Sequence, residues 1–295
     1  MAHPPYLITA IGTPLDAQEN LHAQGLEQHL SDQAQAGIDG ILVAGSMGLM
    51  QMLRDDTYQA LVERASELWR GKGELLVGVG DASWARTMER IRVVSQYSIA
   101  GVVVVTPSFF RFSSRELVQY YRSLADASPV PLYLYDLPAR TGVEIDISVY
   151  EAIVSHPNIK GAKVSGRLEF ARQLIDRYGD KFRIIVAEPD RINTLLREGI
   201  HAHLDGMFAI APRWAKAIAQ AAVREDWDQA AEFQRKLTEL RILLGEAASP
   251  FGAFTAMMNA RGITGKYHAA PSSKLDEAEH ATLLSPPIMR ELLNG

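Results

Sequence analysis

The chain contains no cysteine. Disulfides, thiolate metal sites and a cysteine nucleophile are therefore excluded. It also lacks a basic block. The net charge is -5, so nucleic-acid binding, which rests on clustered lysine and arginine against phosphates, is not expected. No apolar run approaches the roughly 18 residues that a membrane-spanning helix needs. Met1-Ala2-His3-Pro4-Pro5 shows no basic segment leading into an apolar one, so no secretory signal is expected. Low-complexity tracts are missing too. A cytoplasmic enzyme is the default expectation.

What is present suits a large core. Apolar residues make up 47% and charged residues 22% of the 295, with a mean hydropathy of -0.06. Short apolar runs alternate with longer amphipathic stretches. The runs are 6–9, 40–44, 74–79, 101–105, 131–135, 160–164, 182–187 and 202–208. Stretches such as Val102-Val103-Val104-Val105 are apolar on both faces, as buried parallel strands are. Segments 27–36, 58–68, 85–96, 116–127 and 168–178 carry helical spacing between them. Ser113, three residues before Glu116, has the spacing of a capping box. Ala36-Gly37, the 98–101 segment and Glu198-Gly199 read as helix ends. Eight such units predict an α/β fold, a (β/α)8 TIM barrel.

After the eighth run the pattern changes. Segments 212–224, 226–244, 250–261 and 275–293 read as helices with no strand between them. The expected organisation is a barrel over 1–211 and a C-terminal helical extension over 212–295, packed on the barrel, since no linker precedes it.

In such a barrel, chemistry sits at the C-terminal strand ends. The second strand runs into Gly45-Ser46-Met47-Gly48-Leu49. Two glycines three apart can turn backbone N–H groups toward a carboxylate, though a tight turn reads the same way. Gly78-Val79-Gly80 lacks the third glycine of a dinucleotide fingerprint and is discounted. After the fourth strand, Phe109, Phe110 and Phe112 fall in one loop, where Phe109 or Phe110 can wall a pocket or reach a neighbouring subunit. In the fifth strand, Tyr133 and Tyr135 alternate with Leu132 and Leu134. Leucines under helices turn both tyrosines inward, with Tyr135 nearer the catalytic end, where a phenol can shuttle protons or merely pack.

Strand six carries Lys160 and Lys163 on opposite faces. Ala162 and Val164 outward put Gly161, Lys163 and Ser165 inward. A lysine in a barrel interior is rare without a reason. Desolvation favours the neutral amine that attacks a ketone, and pairing with Glu188 is the plain structural alternative. His201, His203 and Asp205 sit at the eighth strand, where the histidines occupy the end away from the chemistry and no further ligands cluster, so neither metal nor cofactor is expected.

Tyr135-Asp136-Leu137-Pro138-Ala139-Arg140-Thr141-Gly142, followed by Gly161-Ala162-Lys163-Val164-Ser165-Gly166, resembles the paired signature of the dihydrodipicolinate synthase / N-acetylneuraminate lyase family. Gly45-Ser46-Met47-Gly48 falls at that family's carboxylate-binding turn. The resemblance covers nearly the whole chain. It implies a class I mechanism, in which Lys163 forms a Schiff base with pyruvate or another 2-keto acid and Tyr135 shuttles protons. It further implies that Ser46 and the Met47 N–H hold the keto-acid carboxylate, that Arg140 can bind a second carboxylate, and that the subunits assemble as a homotetramer. Several positions depart from the family. Met47 replaces a hydroxyl residue, which removes a hydroxyl relay through that position. Leu49 replaces a glutamate and Asp136 an asparagine. Ser108-Phe109-Phe110 replaces a tyrosine-bearing loop, and Glu188 lines the pocket. The reading is a carbon–carbon lyase or aldolase acting on a 2-keto-3-deoxy acid. Dihydrodipicolinate synthesis, dehydration of a sugar acid, and 2-keto acid binding with little turnover are the alternatives.

Overall fold

The computed structural model describes residues 4–294, so the first three residues read for a signal lie outside it. The strands are β1 Tyr6–Ala10, β2 Gly40–Val43, β3 Glu74–Gly78, β4 Gly101–Val105, β5 Leu132–Asp136, β6 Ile159–Ser165, β7 Arg183–Ala187 and β8 Ala202–Asp205. They pair in parallel and in chain order, and β8 closes on β1. The helices among them are α1 Ala23–Gln35, α2 Asp55–Leu68, α3 Trp84–Val94, α4 Ser114–Ala127, α5 Pro138–Thr141, α6 Ile147–Ile153, α7 Leu168–Tyr178 and α8 Ile192–Arg197. There follow α9 Met207–Ile210, α10 Pro212–Val223, α11 Trp227–Glu246, α12 Pro250–Ala260, α13 Glu277–Leu284 and α14 Pro287–Asn294. This is a TIM barrel with a C-terminal helical extension.

Two-residue periodicity sorts the side chains of each strand. Ile8, Leu42, Leu76, Val103, Tyr133, Tyr135, Ile185 and Leu204 fill the barrel interior. Ile41, Val77, Val102, Val104, Leu132, Leu134, Ala162 and Val164 pack outward under the helices. The N-terminal end of the barrel is plugged. Arg183 Nη1 reaches across from β7 to the Glu74 carboxylate on β3, at 2.8 and 3.0 Å. Its guanidinium also covers the Tyr6 ring at 4.6 Å. The pair is partly buried, and each charge there is matched by the other. The opposite, C-terminal end is left for chemistry.

The capping box forms as its spacing predicts: Ser113 Oγ accepts from Glu116 N, and the Glu116 carboxylate accepts from Ser113 N at 2.7 Å. Gly37 and Gly199 follow helix ends at φ 74° and 86°. The 98–101 segment is not a helix end, because α3 stops at Val94. The eighth strand is shorter than its apolar run. The Asp205 carboxylate accepts from Met207 N at 2.8 Å and starts the helical turn α9 in place of more strand. The expected helix over 275–293 is two helices, because Pro286 and Pro287 lack the amide hydrogens that would continue the ladder.

The extension shares a core with the barrel. Leu7, Ile38, Ile192 and Leu196 cluster with Phe208, Trp214, Leu237, Phe254 and Tyr267. Arg261 Nη2 donates to both Asp32 oxygens at 2.9 Å, tying the segment after α12 to α1.

Candidate active site

Tyr135 and Lys163 are register partners on β5 and β6. Both face inward, as their parity predicts, and both are buried. Lys163 Nζ donates to Tyr135 Oη at 3.0 Å. No ion pair of a described residue involves Lys163, so the alternative of a Glu188 partner does not hold. Lys160 is separated from this site by a local irregularity. Leu132 pairs with Ile159 and Tyr133 with Gly161, so Lys160 is the extra residue of a bulge and lies exposed. Gly161 is required beside it, since a Cβ there would sit 2.2 Å from the Arg183 carbonyl oxygen.

The turn after β2 completes the constellation. Ala44 at φ 49° and Leu49 at φ 66° bracket Gly45-Ser46-Met47-Gly48 in the left-handed region. Non-glycine residues hold that conformation only where the surroundings over-determine it, and such strain concentrates at functional sites. Leu49 is locked by burial, and the Gly48 carbonyl accepts from Thr13 Oγ1 at 2.7 Å. The turn brings Ser46 Oγ to 3.1 Å from Tyr135 Oη. A chain Lys163 Nζ, Tyr135 Oη, Ser46 Oγ therefore exists without a hydroxyl at position 47.

The β6–β7 side carries groups that the sequence reading left out of the site or placed loosely. Ser165 Oγ lies one inward step above Lys163, buried and without a hydrogen-bond partner. Its signal was parity alone. Glu188 follows β7, half-buried. Burial pushes its carboxyl above the ordinary range, opposed by Arg191 and by a hydrogen bond from Gly166 N. Asp205 ends β8 at the C-terminal rim, unlike His201 and His203, and is also pushed up by burial against the Met207 N–H and the Lys163 charge. His203 lies on the outer face, bonded to the Ile200 carbonyl at 2.9 Å.

Arg140 is exposed on α5, and its guanidinium makes no hydrogen bond or ion pair with the described residues. The helix itself is fixed: Thr141 Oγ1 accepts from Thr106 Oγ1 at 2.9 Å. Phe109 is 91% exposed and Phe110 66%, with their rings edge to face at 4.9 Å. They do not wall a closed pocket in the isolated chain. Asp136 points away from Lys163. It accepts from Arg167 Nη1 at 2.6 Å, and burial pushes it up to about 6. Its other oxygen accepts from Ile145 N at 3.3 Å, which props the loop leading to α6.

The comparisons with known proteins agree with this fold. A 4-hydroxy-tetrahydrodipicolinate synthase from Exiguobacterium sibiricum is 27% identical over 277 residues, 94% of each chain. Among solved structures, YagE from E. coli K12 in complex with pyruvate superposes with a TM-score of 0.90 at 23% identity, covering 98% of both chains. CdNal from Clostridium difficile in complex with mannosamine gives 0.90 at 18% identity, over 98% of this chain and 100% of the other. Residues 4–285 match the dihydrodipicolinate synthetase family as a unit. With an inward lysine and tyrosine paired in register at the open end of an eight-stranded barrel, the chain belongs to that family.

Proposed function

We propose that the protein is a Schiff-base-forming carbon–carbon lyase or aldolase acting on pyruvate or a 2-keto-3-deoxy acid. The observation that carries the reading is the 3.0 Å hydrogen bond between a buried Lys163 and Tyr135. The neutral Lys163 amine attacks C2 of the 2-keto acid, whose carboxylate is held by Ser46 Oγ and the Met47 N–H beside Gly45. Tyr135 relays the amine proton to the carbinolamine oxygen and then gives its own proton to the departing hydroxyl, leaving an iminium, one water and a Tyr135 phenolate. In cleavage the C3–C4 bond breaks. Its electron pair flows into the iminium to give an enamine, and the C4 hydroxyl proton passes to Tyr135 as the aldehyde leaves. Protonation at C3 and hydrolysis then release pyruvate and free lysine. Ser165 and Glu188 lie where hydroxyls beyond C3 would need partners. Condensation runs the same steps backward.

A second reading, synthesis of dihydrodipicolinate from pyruvate and aspartate semialdehyde, is favoured by the uncommitted guanidinium of Arg140, suited to a second carboxylate, and by the name of the curated relative. The phenylalanines at 109 and 110 weigh against it, because neither can supply a phenol. Measuring pyruvate release from 2-keto-3-deoxy acids against consumption of aspartate semialdehyde decides the matter. Efficient use of the semialdehyde, with no release from the deoxy acids, reverses the order of the two readings.

No helix of the described residues is long and apolar enough to cross a membrane, which supports a cytoplasmic location. Phe109 and Phe110 are exposed, and Pro107 and Phe112 of the same loop line a groove of about 530 Å³ with Trp84 and Tyr120. Apolar surface of this kind favours burial between subunits, in line with a homotetramer built as a dimer of dimers. The helices from residue 212 onward act as an extension of the barrel unit over 1–211, since the two share a core.

A further inference from the structure

Met47 takes part in the mechanism only through its backbone, yet its side chain has a definite seat. It leaves the turn after β2 and lies along Gly206, just beyond β8. A Cβ on residue 206 would fall 2.8 Å from Met47 Cε and 3.3 Å from Met47 Cβ and Cγ. Gly206 has φ -76° and ψ -22°, a conformation open to any residue. The backbone therefore does not require glycine there; Met47, in the position it holds, occupies the space a side chain at 206 would take. Gly206 opens the turn α9, and the direction its Cβ would take is the one the Met47 side chain occupies. Met47 packs on both the barrel interior and the cluster formed with the extension. Its side chain thus fills the space between the turn after β2 and the start of α9.

We infer that Met47 and Gly206 form a specificity-determining pair that limits what the 2-keto acid carries at C3. The inference rests on the Schiff-base reading above. With the carboxylate at Ser46–Met47 and C2 on Lys163 Nζ, the substrate runs alongside the Met47 side chain. Between the turn after β2 and the start of α9 the thioether lies over Gly206, while Ser165 and Glu188 stand on the β6–β7 side. The substrate class that fits is a 2-keto acid unbranched at C3, with hydroxyls further along the chain turned toward Ser165 and Glu188. A β-carbon at 206 would force the thioether into the space the keto acid needs. Loss of the thioether would open that space to larger acids.

The test is competitive trapping. The protein is incubated with equal pyruvate and 2-oxobutanoate, reduced with borohydride, and the two Lys163 adducts are weighed. Wild type favours the pyruvate adduct. Met47→Ala shifts the adduct ratio toward 2-oxobutanoate by about tenfold, the discrimination a hydrophobic pocket typically exerts over one methylene. Met47→Val shifts it less, in the same direction. Gly206→Ala slows trapping of both acids, and the double variant Met47→Ala/Gly206→Ala recovers it, because the clash is with the methionine. An adduct ratio within twofold of wild type in both Met47 variants overturns the inference. So does a Gly206→Ala defect that persists in the double variant. A wild type that traps neither acid removes the Schiff-base reading itself, and this inference with it. That outcome is distinct from trapping with an unchanged ratio, which removes only the pair.

Discussion

Lys163 Nζ and Tyr135 Oη lie 3.0 Å apart on adjacent strands, locked there by a register that pairs the two residues directly. The contact is built into the sheet and not into a loop, so its geometry is set by backbone hydrogen bonds before any ligand arrives. A proton shuttle so placed predicts a specific loss. Tyr135→Phe keeps the ring and its packing but removes the hydroxyl that serves both Lys163 and Ser46. Imine formation should slow by about 100-fold to 1,000-fold, within the range of general acid–base contributions. Stability should change by no more than about 1–3 kcal/mol, the cost of two neighbours losing a partner. Single-turnover trapping and thermal unfolding, measured on the same preparation, separate the two effects.

Ser46 makes a different contribution. Its Oγ stands 3.1 Å from Tyr135 Oη in a turn held between two left-handed residues. Ser46→Ala should therefore raise KM for the 2-keto acid and lower kcat together, about tenfold in kcat/KM, a change of about 1.4 kcal/mol. Ser46→Thr should restore most of the loss, since the hydroxyl is kept. Steady-state kinetics with pyruvate varied gives both constants. An alanine variant that changes neither would place the carboxylate elsewhere.

His203 gives a pH signature independent of catalysis. Burial pushes it down to about 4 from the ordinary 6.5, with the Ile200 carbonyl hydrogen bond opposing. The folded state thus binds fewer protons than the unfolded state between these values. The stability is fully present above pH 6.5 and is lost as the pH falls toward 4, by about 3 kcal/mol at the pair of pKa values cited. His203→Gln, which keeps a donor for the Ile200 carbonyl, should flatten the fall in urea midpoint over that window. An equal fall in the variant would assign the acid sensitivity to other groups, such as buried His29, which is also pushed down to about 4.

Much of this was legible in the chain because strands alternate with a period of two. Leu132 and Leu134 under helices were enough to turn Tyr135 inward, and Ala162 and Val164 did the same for Lys163. The pairing of the two strands followed from their order. What stayed hidden depends on non-local contacts or on chain ends. The bulge at Lys160 is a register event between strands and leaves no mark in either one. Asp205 was grouped with His201 and His203 because the apolar run continues past it. The run is broken by a side-chain cap on Met207 N, a choice between strand and helix that local pattern does not decide. The vacant contour at Gly206 is intelligible only once Met47, 159 residues earlier in the chain, is seen lying on it. The break before α14 had a signal, the Pro286-Pro287 pair, which the helical periodicity on either side outweighed.

The central claim is that Lys163 is the nucleophile. The measurement that tests it most directly is the intact mass of the protein after incubation with pyruvate and borohydride, followed by peptide mapping. The account predicts one reduced pyruvyl adduct per chain, mapped to Lys163 and absent from Lys163→Ala. No adduct with pyruvate or any other 2-keto acid, or an adduct retained in Lys163→Ala, would contradict it.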